Sequence, residues 1–158
     1  MNTYLLIKTL HVLSSVLLVG TGFGSAFYLF FANRTGSVQV IATVSRLVVR
    51  ADWWFTTPAI VFQPLSGFWL AHTAGWGWST PWVVASIILY MIAGLCWLPV
   101  VWIQIRMRQI AAESVEQGRV TLPLAYWRYA RTWEYLGYPA FLAMIVVYFL
   151  MILKPTLF

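Results

Sequence analysis

The chain has 158 residues, of which 61% are hydrophobic and only 9% charged, with a net charge of +6. A soluble domain carries about 25% charged residues, so this composition excludes an ordinary water-soluble globule and points to a bilayer as solvent. The positive excess does not indicate nucleic acid, because the basic residues flank hydrophobic spans and do not gather on a polar surface.

Crossing about 30 Å of hydrocarbon takes about 20 apolar residues in a helix. Four stretches qualify, at residues 4–31, 53–71, 82–105 and 135–153. The first is too long for the core of a cleaved signal peptide and ends in YLFFANR, which lacks a small-x-small cleavage pattern. Within it, IKTLHVLSSVLLVGTGFG and the Ser25 that follows set Lys8, His11, Ser15, Leu18, Gly22 and Ser25 at helical spacing, so they form one stripe. Polar groups face lipid tails only at a cost, so the stripe is expected to face the bundle interior. Gly20 and Gly24 form a GxxxG that would admit a close helix or a flat ligand.

Residues 38–51, VQVIATVSRLVVRA, are amphipathic and read as an interfacial helix or an extension of the second span. The second span contains Pro58 and Pro64, with the amide of Gln63 between them. Its expected task is to satisfy the carbonyls that the prolines free, the alternative being contact with a quinone or porphyrin. His72 closes this span, and the turn TAGWGWSTP that follows carries no charge. The third span holds the lone Cys96, read as a buried structural thiol. Residues 106–117 should extend that span as helix, with Gly118 as its stop. Trp76, Trp78 and Trp82 at one end, and Trp53, Trp54, Trp127 and Trp133 at the other, read as interfacial belts.

All eight arginines fall between spans one and two or between spans three and four. Cytoplasmic loops hold the Lys/Arg excess, so the sequence predicts an all-α integral membrane four-helix bundle with N-out/C-out orientation. Its single domain covers residues 1–158, and its place is the bacterial cytoplasmic (inner) membrane.

His11 and His72 both belong to the outer half of that arrangement, on antiparallel neighbours. Neutral imidazole is a common iron ligand, so they are candidate axial ligands of haem b. Lys8 would meet a propionate, and Ser15 and Gly22 would line the pocket. His11 lies about 9 Å inside its span and His72 nearly at the end of its own, so the pairing requires helix tilt or proline kinks. The plainer alternatives are an interhelical hydrogen bond for His11, an interfacial site for His72 and a snorkelling Lys8. Asp52 is expected to pair with Arg50 or to cap its span, and Glu134 to pair with Arg131 or Arg128, with Glu134 also a candidate proton relay.

KTLHV, TTPAIVFQPLSGFWL and the terminal ILKP resemble the HemJ-type protoporphyrinogen oxidases, small four-helix membrane proteins that bind haem b. The whole chain resembles an uncharacterised family of predicted integral membrane proteins related to that group and to copper-resistance D-type membrane proteins. The resemblance implies His11 as haem ligand with Lys8 beside it, and aligns Thr57, Pro58, Lys154 and Pro155 with the family's short motifs. The third span lacks the lysine and histidine of HemJ-type proteins, and the fourth lacks their Asn-Glu-x-Pro opening. Haem binding therefore carries over further than the porphyrinogen chemistry, and His72 is the candidate replacement ligand.

The expected function is a haem-dependent membrane oxidoreductase, moving electrons to or from a porphyrin or quinone substrate. The alternatives are a cofactor-free subunit or scaffold, homo-oligomeric or docked through the GxxxG face, and copper handling. Membrane lipid is the surrounding partner in each case. The five methionines form no cluster suited to Cu(I).

Overall fold

The computed structural model describes residues 2–155. Helix α1 runs Thr3–Thr35, started by Asn2, whose side chain accepts from the Tyr4 amide, and ended by Gly36 in the left-handed region (φ 67°). Ser37 caps α2, Val38–Ala51. Between α2 and α3, Thr57–Thr73, the chain never leaves helical geometry but widens into a π turn over Asp52–Thr56. Helix α4 covers Pro81–Glu116 and α5 covers Leu124–Leu153. The described chain is thus four long rods, with α2, the π turn and α3 forming one of them.

Pro58 accounts for the π turn. It has no N–H to give the carbonyl four residues back, and its ring crowds that carbonyl. Widening the turn moves the bonding to an i→i−5 register, and Thr57 bonds the Asp52 carbonyl through both its amide and its hydroxyl. Helix α3 alone has 17 residues, about 26 Å at 1.5 Å per residue. The π turn supplies the remaining length of a span. Helices α1, α4 and α5 are each long and apolar enough to cross a membrane.

The extension reading of residues 38–51 is the one realised. Residues 106–116 likewise continue α4, which ends where Gly118 (φ 63°) lets the Arg119 amide turn back onto the Ser114 carbonyl at 2.9 Å. Helix α5 begins eleven residues before the expected start of span four. The intervening LAYWRYARTWE is amphipathic, and its Tyr126, Ala130 and Trp133 pack into a core with Ile41, Met107 and Ala111. That packing stabilises a helix that hydropathy alone cannot reveal.

This core occupies the end of the bundle that bears the arginines, here called the basic end. There α2 packs against both α1 and α4, α4 packs against α5, and the Tyr126 hydroxyl of α5 donates to Asn33 Oδ1 of α1 at 2.6 Å, so the bundle is closed. Beyond the π turn it divides into two pairs, α1 with α3 and α4 with α5. The charge-free turn joins spans two and three, but α4 packs chiefly on α5. The tryptophan belts also need correction. Trp53, Trp54, Trp76 and Trp78 are exposed, whereas Trp82 and Trp133 are buried among helices.

Candidate functional site

The two helix pairs flank a half-open cavity of about 410 Å³, within the roughly 300–1,000 Å³ usual for small-molecule sites. It reaches from Leu18 and Met144 to Asp52 and Gln104. Along α1, Leu18 to Phe30 is about 18 Å. Its walls are mostly apolar and aromatic, including Phe27, Phe30, Trp97 and Phe141. Small residues make the room: Gly22 on α1, Ala93 and Gly94 on α4, and Gly137 on α5. A Cβ added at Gly94 would meet nothing within 4 Å, so the space beside it is not filled by a neighbour.

The pairs touch across this space at few points. Phe23 and Phe141 stack with ring centroids 4.2 Å apart, joining α1 to α5. The Tyr90 hydroxyl donates to the Ile60 carbonyl at 2.6 Å, joining α4 to α3. Pro64 explains that bond, because it has no N–H for the carbonyl four residues back, which is Ile60. Tyr90 therefore does what was expected of Gln63. Gln63 instead donates to the His11 carbonyl at 2.8 Å.

At the basic end the cavity narrows onto polar groups. Asp52 is 6% exposed and accepts from the Thr56 hydroxyl at 3.0 Å. Gln104 also reaches its carboxyl. Glu134 lines the same end and meets Arg34 at 3.9 Å, the one ion pair among the described residues. Arg34 lies over the Phe30 ring and donates to the Phe30 carbonyl at 3.1 Å. The expected ion pairing holds for Glu134, though with Arg34 rather than Arg128 or Arg131. It does not hold for Asp52, whose position on the π turn carries it into the bundle and away from Arg50.

The five residues expected at a haem site are not brought together. Gly22 alone lines the cavity. His11 sits in the α1–α3 seam, with Nδ1 2.7 Å from the Ser66 hydroxyl. A Cβ built on Gly67 would lie 3.3 Å from its ring, so glycine is what lets the imidazole approach. Ser66 directs its own proton to the Phe62 carbonyl at 2.7 Å. Its oxygen therefore accepts from His11 Nδ1–H, leaving the Nε2 lone pair free. Ser15 bonds back to the Val12 carbonyl of its own helix, and Lys8 and His72 are exposed. His72 lies six residues beyond Ser66, which is 240° around α3 and about 9 Å along it. A haem held between His11 and His72 does not fit this arrangement.

Gly20 and Gly24 have nothing within 4 Å of a built Cβ, so no helix among the described residues packs on the GxxxG. No group of three or more His, Cys, Asp or Glu suited to a metal ion occurs among the described residues. Gln104, Thr56 and Tyr90 escaped the sequence reading. The signal for the first two was there: Asp52 and Thr56 are four apart on one face, and Gln104 is an amide inside an apolar run.

A family model described as "Predicted integral membrane protein (DUF2269)" matches residues 5–155. The chain belongs to that family. No curated protein matches, and no solved structure matches. The family description carries the membrane assignment and nothing of haem, porphyrin or copper.

Proposed function

We propose that this protein binds a lipophilic small molecule from the bilayer in the cavity between its two helix pairs. The occupant's apolar body lies along the aromatic walls, and its polar head points to Asp52, Gln104 and Thr56 at the basic end. The observation that carries this reading is the cavity's one-sided chemistry: apolar over most of its length, with buried polar groups at one end. Such groups are costly inside a membrane and mark binding or transfer sites. Protein purified in a mild detergent should carry a co-purifying organic molecule, identified by native mass spectrometry. Gly94→Leu, which places a side chain in the open space, should lose it. Equal retention by the variant sinks the reading.

The charge distribution supports a basic end in the cytoplasm and a place in the cytoplasmic membrane. With Cys96 replaced, cysteines at Ser79 and Gln117 should label from opposite sides of intact cells. Labelling of Gln117Cys from outside would reverse the orientation.

A second reading is haem held by His11 alone, with redox chemistry of the kind the HemJ resemblance implies. One observation favours it: the Nδ1–H bond to Ser66 fixes the tautomer and leaves Nε2 free to coordinate, the usual arrangement behind a metal-bound histidine. Bound haem would supply the electron transfer, and Ser66 and Gly67 would hold the imidazole in place. Protein expressed with ample haem should then show a Soret band that His11→Ala removes. Absence of the band from the unaltered protein ends this reading.

A further inference from the structure

Every hydroxyl on the cavity wall whose bonding is defined already spends its proton on the protein. Ser25 donates to the Gly22 carbonyl, Tyr90 to Ile60 and Thr56 to Asp52. What remains at the polar end holds two carboxylates, Asp52 and Glu134, beside the neutral groups of Gln104, Trp133 and Tyr138. Glu134 has Arg34. Asp52 is buried, opens on the cavity, and has no cationic group within ion-pair distance among the described residues. A carboxylate removed from water needs an opposite charge or it is strongly disfavoured. The protein provides none within that distance, and Asp52 lines the cavity. The walls above it are aromatic, and aromatic faces attract cations.

We propose that the cavity takes lipophilic organic cations, with the Asp52 carboxylate as their counter-charge. This rests on the cavity being a binding site and adds the sign of the ligand's charge. Anionic amphiphiles, porphyrin carboxylates among them, would set like charge against Asp52.

The test uses the full chain in dodecyl maltoside and three probes of similar shape. They are the tetraphenylphosphonium cation, the tetraphenylborate anion and neutral triphenylphosphine oxide. Equilibrium dialysis should show the cation bound at least about tenfold more tightly than either of the others, the size expected of a charge-assisted contact. Asp52→Asn keeps an oxygen for Thr56 and should weaken the cation about tenfold while leaving the neutral probe unchanged. Asp52→Glu should restore most of the preference. Equal binding of cation and anion, or an Asp52→Asn variant that binds the cation as before, overturns the charge assignment. If Gly94→Leu still displaces the probes in that case, the cavity reading stands without it. Loss of all three probes together in Asp52→Asn would also overturn the proposal, since the residue would then be holding the cavity open. If no probe binds and Gly94→Leu changes nothing, both readings fall.

Discussion

The two ends of this bundle use the same four rods to opposite effect. At the basic end, Leu29, Ile41, Met107 and Tyr126 are all but inaccessible, and α2 closes the gap between α1 and α4. Past the π turn, α3 stays with α1 while α4 stays with α5, and one aromatic stack and one hydrogen bond join the pairs beside a hollow. Water bordering the basic end gives apolar burial a driving force there, about 25 cal/mol per Å² removed from water. Lipid supplies no such force between helices, which are held instead by packing and hydrogen bonds. The difference teaches where stability and binding reside: the closed end fixes the helix positions, and the open end is free to hold something.

The comparison breaks first if the closed end is not the source of stability. Met107→Ala should cost about 2–5 kcal/mol, because Met107 is fully enclosed and its loss leaves a cavity. Met144→Ala, at the wall of an existing hollow, should cost less than about 1 kcal/mol, since its side chain has fewer contacts to lose. Thermal unfolding in detergent compares the two, and equal losses would refute the division.

The α1–α3 seam is held differently, by a few polar bonds. Ser66→Ala removes the acceptor of His11 Nδ1–H and should cost about 1 kcal/mol, the scale of side-chain hydrogen bonds within membranes. The double variant with His11→Ala should cost little more than His11→Ala alone, which a double-mutant cycle measures. Full additivity would mean that the bond contributes nothing.

The smallest effect sharpens the contrast by its sign. Gly94→Leu fills open space and replaces a helix-interior glycine, so it should leave stability unchanged or raise it by up to about 1 kcal/mol. The same change should abolish ligand binding. A marked fall in melting temperature would show that the hollow is already occupied by side chains.

Much of this was legible from residue order. Spans one and three, the helical extensions after residues 38 and 106, and the stop at Gly118 follow from periodicity and turn chemistry. The early start of α5 was not, because LAYWRYARTWE is helical through contacts with Met107 and Ala111, which lie far away in sequence. The stripe on α1 was legible as a stripe but not in its division. His11 turns to Ser66 and Gly67, while Leu18, Gly22 and Ser25 face the cavity. A spacing of three and four identifies a face and says nothing of which helix meets it.

The sequence by itself determined the solvent of this protein, the number of its helical rods and the separation of charged from uncharged ends. These depend on local properties, the length of an apolar run and the position of arginines around it. Only the tertiary structure decided that the rods close at one end and part at the other. It alone put Tyr90 on the carbonyl that Pro64 frees. It alone left Asp52 facing a hollow instead of an arginine. Each of these depends on pairing between residues tens of positions apart, and lipid-facing and cavity-facing apolar residues look the same in a sequence.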